Sequence, residues 1–223
     1  MPLVESLSAQ EALARELLRL AEGRPRAWFW EAAAPAVILG ASNKPEEELH
    51  SEHVEADVIP VLKRRTGGGA VLVGPGALCW GMILPPRRGP CNPRALAREV
   101  LPELADGLQK KLGAAARLAG LGDLAVGGKK IGGTAQRWTR GGILLHGTVL
   151  VRIDLALFTR YLRRPSREPD YRSGRSHEAF CTDLSAVLKR TVSCEEAAGA
   201  LAAAWAHFAP LRGTMESDPA SRA

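Results

Sequence analysis

Apolar residues recur along this chain with helical spacing in some segments and strand-like spacing in others. In residues 93–112 an apolar side chain occurs at every fourth position, which predicts one long amphipathic helix. A leucine-rich pattern of similar period predicts a first helix within 8–23, and a last helix is predicted for 193–208. Both of these begin with Ser and Glu three residues apart, the spacing of a capping box. Two shorter helices are predicted, for 45–52 and 154–162.

Short apolar runs between glycines and prolines predict strands. The predicted strands are 27–31, 36–40, 58–64, 70–73, 78–84, 123–126, 129–138 and 143–151. The connections between several of them are short and glycine-rich, which favours hairpins over parallel βαβ units. We therefore predict an α+β fold, a mixed and largely antiparallel sheet flanked by helices. One domain is expected over residues 1–212, with a frayed tail at 213–223.

Composition is that of a globular domain: 223 residues, 46% hydrophobic and 24% charged. No apolar run is long enough for a membrane span and no secretory signal is recognisable, so we expect a soluble, cytoplasmic protein without a membrane partner. The four cysteines lack metal-site or disulfide-framework spacing. The net charge is +6, and Arg supplies 23 of the 30 basic residues. This excess of basic residues favours binding of anionic substrates, an acidic partner or nucleic acid. The structural alternative is that it reflects solvated surface arginines.

The first candidate for chemistry is a glycine-rich turn between two predicted strands, entered by Arg64 and Arg65 and formed by Gly67, Gly68 and Gly69. Successive N–H groups in such a turn can form an anion-binding nest, and arginines can add bidentate donors. The structural alternative is a hairpin turn with solvated arginines. Neither a Walker loop nor a dinucleotide fingerprint is present.

The second candidate is the strand that carries Lys130. Strict alternation would place Lys130, Gly132 and Thr134 on one face, with Gly133 on the other, leaving room for a ligand beside the lysine. A solvent-facing lysine pair at a hairpin end is the alternative. The third candidate is His146, within an apolar strand, for which we expect a structural role that shapes a pocket.

Together, the order of these three motifs resembles the lipoate–protein ligase A family, which belongs to the wider biotin/lipoate ligase and octanoyltransferase group. The likeness covers most of residues 8–208 and implies that family's catalytic fold. It implies that Lys130 contacts the acyl carbonyl and the α-phosphate, and that Asp123 lies near ribose or binds a metal ion. The remaining implied binding residues are Arg64, Arg65, Gly67, Gly68, Gly69, Gly133, Thr134, Ala135, His146, Gly147 and Thr148.

Members of this family activate lipoate or octanoate with ATP and pass the acyl group to a lysine of a lipoyl domain. The resemblance therefore implies ATP, Mg²⁺, lipoate and lipoyl-AMP as ligands. The implied partners are lipoyl domains of 2-oxoacid dehydrogenase E2 subunits or the glycine cleavage H protein. We expect a monomer that acts alone or with a separate accessory chain, since no C-terminal accessory domain fits the length.

Three departures and two alternatives accompany this resemblance. The family often has a His-Asp pair soon after the glycine-rich turn, where this chain reads Leu72-Val73-Gly74-Pro75-Gly76, and Gly122 and Gly132 replace Asn and Ser. The main alternative is an octanoyltransferase that takes its acyl group from acyl carrier protein without ATP. For that chemistry a cysteine nucleophile is typical, but Cys181 is followed by Thr and is predicted to be a small packing residue. The distant alternative is a non-catalytic nucleic-acid-binding protein, for which no RRM, KH or helix-turn-helix signature is present.

Overall fold

The structure is a computed structural model that describes residues 26–86, 91–165 and 167–205. Its strands are β1 (Arg26–Glu31), β2 (Ala36–Leu39), β3 (Val61–Lys63), β4 (Val71–Val73), β5 (Ala77–Leu84), β6 (Arg117–Ala119), β7 (Asp123–Val126), β8 (Lys129–Thr139) and β9 (Gly142–Leu150). Its helices are α1 (Pro45–Glu48), α2 (Ser51–Ala56), α3 (Pro93–Leu112), α4 (Ala156–Tyr161), α5 (His177–Phe180), α6 (Leu184–Leu188) and α7 (Cys194–Trp205).

Two sheets organise these strands. The larger sheet has the order β1-β5-β9-β8-β7-β6, and every neighbouring pair in it is antiparallel. The smaller sheet has the order β3-β2-β4, in which β2 pairs parallel with β3 and antiparallel with β4. The predicted α+β class with a mixed, largely antiparallel sheet is therefore confirmed.

One face of the large sheet packs against α3 and α7, and this layer forms the main core. Leu96, Leu104 and Leu108 of α3 are fully buried against apolar side chains of β5 and β9. A second cluster joins the small sheet to α4, with Phe158 and Leu162 packed near Leu39 and Leu72. The other face of the large sheet packs in part against the small sheet, with Cys79 beside Ile38 and Val73, and its remaining part forms one wall of a cleft.

The long helix and the last helix begin as their sequences predict. The α3 helix covers the predicted residues, with Asn92 accepting a hydrogen bond from the Ala95 amide at 3.0 Å and left-handed Gly113 at its end. The capping box before α7 is reciprocal. The Ser193 amide donates to Glu196 Oε2 at 2.9 Å, and the Glu196 amide donates to Ser193 Oγ at 3.0 Å.

Several boundaries differ from the prediction for local reasons. The predicted helix 45–52 is split into α1 and α2, since Leu49 adopts extended backbone and pairs with Leu162. The strand predicted for 58–64 is reduced to β3, because Val58 has a φ of +53°, incompatible with a strand. Neither α5 nor α6 was predicted. The first helix, the end of the last helix and the tail at 213–223 lie outside the described residues.

Among the described residues, no helix combines the length and apolar character needed to cross a bilayer.

Candidate active site

A cleft of about 1370 Å³ lies between the two sheets and is closed on one side by the segment after α4. Eight basic residues and three acidic residues line it within the described part of the chain. The acids are Glu48, Asp123 and Glu168. Low-dielectric walls lined by one sign of charge concentrate the opposite charge, so the cleft favours anionic ligands. Every site residue predicted from the sequence lies in its wall: Arg64, Arg65, Gly67, Gly68, Gly69, Asp123, Lys130, Gly133, Thr134, Ala135, His146, Gly147 and Thr148.

The glycine-rich turn is held in shape by Arg64. Its Nη2 donates to the carbonyl oxygens of Gly67 at 2.8 Å and Gly69 at 2.9 Å, and its Nη1 donates to the Ile38 carbonyl at 3.2 Å. Partial burial lowers the pKa of Arg64 to about 10, which still leaves the guanidinium charged at neutral pH. These bonds engage both terminal nitrogens of Arg64, while its buried Nε has no partner among the described residues, so the side chain stabilises the turn.

The same turn presents its amides outward. Gly68 has a φ of +94°, and a Cβ at Gly67 or Gly69 would meet nothing within 4 Å. Within the described residues, the N–H groups of these three glycines donate to no protein acceptor. Turn amides with no acceptor at the wall of a basic cleft have the character of an anion-binding nest.

A hydrogen bond between Thr66 and His146 ties this turn to β9. Thr66 is buried, and its Oγ1 lies 2.7 Å from His146 Nε2. Burial, with a smaller effect of the Arg64 charge, lowers the pKa of His146 to about 4. His146 is therefore neutral at physiological pH, and it lies in the cleft wall, where it bonds Thr66 of the turn.

Lys130 is one end of a chain of three polar side chains. Its Nζ lies 2.8 Å from Asp123 Oδ1, and the Tyr171 hydroxyl donates to Asp123 Oδ2 at 2.8 Å. Burial, with the nearby Asp123 charge, raises the pKa of Tyr171, so the phenol remains a donor. Sequence reasoning missed Tyr171, which lies in an irregular segment 48 residues from its partner.

A β-bulge decides which way Lys130 points. In the pairing of β7 with β8, Asp123 lies opposite Gly133 and Leu124 opposite Gly132, but Ala125 lies opposite Lys130, so one residue is left unpaired. The lysine side chain crosses Gly133, where an added Cβ would lie 2.9 Å from Nζ. The prediction that Gly132 shares the lysine's face and Gly133 does not is thus wrong, because the bulge breaks strict alternation.

Cys181 is packed in the second apolar cluster, and it also lies beside Lys130. The two residues form a parallel backbone bridge, and the Thr182 amide donates to the Lys130 carbonyl at 2.9 Å. The thiol is 5% exposed and lines the cleft. Burial raises its pKa, while the charges of Lys130 and Arg172 oppose that rise. No local motif marks this cysteine, because its partner is brought near only by the return of the chain to β8.

Small residues in β8 and β9 let aromatic groups and backbone approach closely. A Cβ at Gly147 would overlap the Gly133 carbonyl and lie 2.9 Å from the Trp80 indole. The Thr134 hydroxyl turns away to the Gly122 carbonyl at 2.8 Å. A Cβ at Gly122, one of the departures from the family pattern, would lie 2.7 Å from the Thr134 hydroxyl oxygen. Glycine at this position therefore leaves room for the Thr134 side chain.

The arrangement does not favour Asp123 as a metal ligand. Both its carboxylate oxygens accept hydrogen bonds, and the Lys130 ammonium 2.8 Å away would repel a cation. The described residues contain no group of three or more His, Cys, Asp or Glu side chains placed to hold a metal ion.

The sequence matches the model of the lipoyl protein ligase A/B catalytic domain over residues 2–206. The octanoyltransferase LipM of Symbiobacterium thermophilum is 30% identical, with 91% of this chain and 81% of that protein aligned. The probable lipoate-protein ligase A of Mycoplasma pneumoniae is 29% identical over 60% of this chain. The match spans only 39% of that ligase's length.

Solved structures share the fold. A bi-partite lipoate protein ligase from Thermoplasma acidophilum, described with its E2 lipoyl domain, superposes with a TM-score of 0.70 at 24% identity. The superposition covers 82% of this chain and 71% of that chain. At this level of identity, the similarity establishes a shared backbone architecture.

Proposed function

This chain belongs to the lipoyl protein ligase A/B catalytic-domain family, and from that premise we propose that it attaches a lipoyl or octanoyl group to the lysine of a lipoyl domain. The observation that carries the proposal is the convergence in one basic cleft of the glycine-rich turn, the Lys130–Asp123 pair and the Thr66–His146 bond. These residues come from four separate strands or turns. Apolar residues would pack at least as well at these positions, so packing does not explain the polar groups.

We propose an acyl-adenylate as the intermediate. The carboxylate of the free acid would attack the α-phosphorus of ATP and release pyrophosphate. The acceptor lysine would then attack the acyl carbonyl and release AMP. No protein nucleophile is required, because orientation and positive charge at the phosphate and the developing oxyanion supply the catalysis. Lys130 is the cation placed for that role, held 31% exposed at the cleft wall.

The glycine-rich turn would bind the phosphate of the adenylate. Its amides have no protein acceptor among the described residues, and Arg64 fixes their geometry from behind. Arg65 and Arg137 lie at the same part of the wall, with Arg137 Nη1 3.3 Å from the Arg65 carbonyl. We keep Mg²⁺ in the proposal only as an ion that would accompany the ATP phosphates, and we assign it no residue.

The partner under this proposal is an acidic lipoyl domain of an E2 subunit or of the glycine cleavage H protein. The net charge of +6 would steer such a domain toward the cleft in a salt-dependent manner. We propose that the protein is cytoplasmic and monomeric. The proposal also includes a separate accessory chain that assists activation.

The test is incubation of the protein with ATP, lipoate and an apo lipoyl domain, followed by mass spectrometry of the domain. A mass gain of one lipoyl group is expected, and Lys130→Ala should abolish it while Lys129→Ala, the neighbour on the same strand, should not. If neither ATP with lipoate nor synthetic lipoyl-AMP modifies the domain, the adenylate route is refuted.

A second candidate function is octanoyl transfer from acyl carrier protein through a thioester on Cys181. The observation in its favour is the place of Cys181 next to Lys130 at the cleft wall. In this route the thiolate would attack the donor thioester and release the carrier thiol, and the acceptor amine would then attack the new thioester and release Cys181. The charges of Lys130 and Arg172 lower the pKa of the Cys181 thiol, but burial raises it more, so this route would require the bound donor to promote loss of the thiol proton.

Cys181→Ser separates the two candidates. Under the thioester route, octanoyl transfer from acyl carrier protein needs no ATP and is lost in this variant. Under the adenylate route, ATP-dependent transfer survives the substitution. The matched control is Cys79→Ser, because Cys79 is also buried and lines the cleft but has no bridge to Lys130. An octanoyl thioester that persists in Cys181→Ser would refute Cys181 as the acylated residue.

A further inference from the structure

Tyr171 lies behind the cleft wall, where it contacts the carboxylate that holds Lys130. Its hydroxyl donates to Asp123 Oδ2 at 2.8 Å, while the other oxygen, Oδ1, lies 2.8 Å from Lys130 Nζ. Tyr171 is not among the residues that line the cleft. Its hydroxyl can therefore act on a bound substrate through Asp123, while its ring contacts Phe180 of the cleft wall.

The backbone of Lys130 is secured separately from its side chain. The bridge to Cys181 and the bond from the Thr182 amide hold the main chain. The bulge and the absence of a side chain at Gly133 leave the lysine stem free to swing over the strand. The position of the ammonium group is then set by Asp123.

Asp123 would not hold one orientation by itself. Its side chain has a rotatable terminal torsion, and a carboxylate with a single donor can turn about it. Tyr171 supplies the second donor on the opposite oxygen. The tyrosine is in turn fixed by ring contact with Phe180 at 5.0 Å between centroids and by the close approach of Gly120.

We propose that Tyr171 is a positioning residue for acyl transfer, which holds the Asp123 carboxylate in the orientation that places the Lys130 ammonium over the cleft. This inference rests on the proposed function of Lys130 and extends it to a residue that the sequence does not mark. The role requires a hydroxyl and not merely a ring at position 171.

The test is a double-mutant cycle of Tyr171→Phe and Asp123→Asn, with kcat and KM measured for transfer to a lipoyl domain. Phenylalanine keeps the ring contact with Phe180 and removes the donor. Loss of one hydrogen bond to a charged group is expected to lower kcat about 10-fold and leave KM within about twofold. In the Asp123→Asn background, Tyr171→Phe should cost less than about twofold more.

The matched control is Tyr161→Phe, which involves the only other tyrosine in the chain. Its hydroxyl likewise bonds an aspartate, Asp57, at 2.9 Å, and neither residue lines the cleft. Unchanged kcat and KM are expected in this variant. Melting temperatures of all variants show whether a loss of rate reflects unfolding.

A second measurement does not depend on activity. The chain has seven lysines, so the side-chain NMR signals of protein labelled at lysine ¹³Cε and ¹⁵Nζ can be assigned, with Lys130 identified from Lys130→Arg. Tyr171→Phe should move the Lys130 signal toward those of exposed lysines, and Tyr161→Phe should not.

An unchanged Lys130 signal, or full additivity in the cycle, would overturn the positioning role. If the wild type transferred no acyl group from any donor, the proposed function would fail instead. The Lys130 signal alone would then decide whether Tyr171 holds the lysine through Asp123.

Discussion

Thr66 Oγ1 and His146 Nε2 lie 2.7 Å apart, although 80 residues separate them in the chain. This bond fastens the glycine-rich turn of one sheet to a central strand of the other. The turn and the Lys130 strand therefore keep a defined distance across the cleft.

Thr66→Val should loosen the turn while keeping its bulk. The variant leaves the half-buried His146 ring without its partner, which should lower the free energy of unfolding by about 1–2 kcal/mol. It should also weaken binding of a non-hydrolysable lipoyl-adenylate analogue, measured by calorimetry. The control, exposed Thr191→Val, should change stability by less than about 0.5 kcal/mol. Equal effects of the two substitutions would contradict the connection.

The free energy of unfolding should fall as the pH is lowered from about 6.5 to about 4. The pKa of His146 is about 4 in the fold and near 6.5 when unfolded, so the unfolded state binds the extra proton in this window. Burial of His177 lowers its pKa as well and adds to the same slope. Urea titrations across this range should show a smaller change of unfolding free energy with pH in His146→Gln. The change should be smaller still when His177→Gln is added. A slope unchanged in His146→Gln would count against its burial as the neutral form.

Gly40→Ala should disturb the turn from the opposite side. A Cβ at this position would overlap the Gly68 carbonyl and lie 2.7 Å from Asn43 Oδ1. We expect a lower melting temperature and at least tenfold weaker binding of the adenylate analogue, since the amides of the nest would be displaced. Gly199→Ala is the control. This helical glycine has nothing within 4 Å of its added Cβ and should gain about 0.5–1 kcal/mol.

Arg64→Lys should lose function although the charge is kept. One guanidinium bridges the carbonyls of Gly67, Gly69 and Ile38, and an ammonium cannot reproduce that fork. The affinity for the adenylate analogue should fall about tenfold or more. Arg160→Lys breaks a similar two-armed contact, to Asp57 at 2.6 and 3.1 Å, away from the cleft. It should leave the affinity unchanged, and a comparable loss in both variants would argue against a specific role for Arg64.

Much of the fold could be read from local pattern. The period of four in α3, the capping box before α7 and the glycine-bounded strands each depend on residues close in sequence, and the structure agrees with them closely. Elements whose bounds depend on contacts between residues distant in sequence were harder to predict. The break between α1 and α2 depends on pairing of Leu49 with Leu162, and no local signal reveals it.

The residues of the candidate site also divide into those that the sequence indicates and those that it does not. The glycine turn and Lys130 carry recognisable residue order, and both line the cleft. The direction of the lysine could not be foreseen, because the bulge that reverses the alternation arises from pairing with β7. Tyr171 carried no motif of its own, and Cys181 was considered only as a packing residue, since their neighbours in space lie about 50 residues away along the chain.

Sequence alone determined the fold class, the family resemblance and the excess of basic residues in this protein, because periodicity, motif order and net charge are properties of the chain itself. Tertiary structure decided which groups meet. In the folded chain the Lys130 side chain lies over Gly133, and Asp123 accepts hydrogen bonds from two donors. Cys181 lies beside the lysine, and Thr66 bonds His146. The physical reason is that side-chain direction and hydrogen-bond partnership depend on strand register and chain return, which only the packed molecule defines.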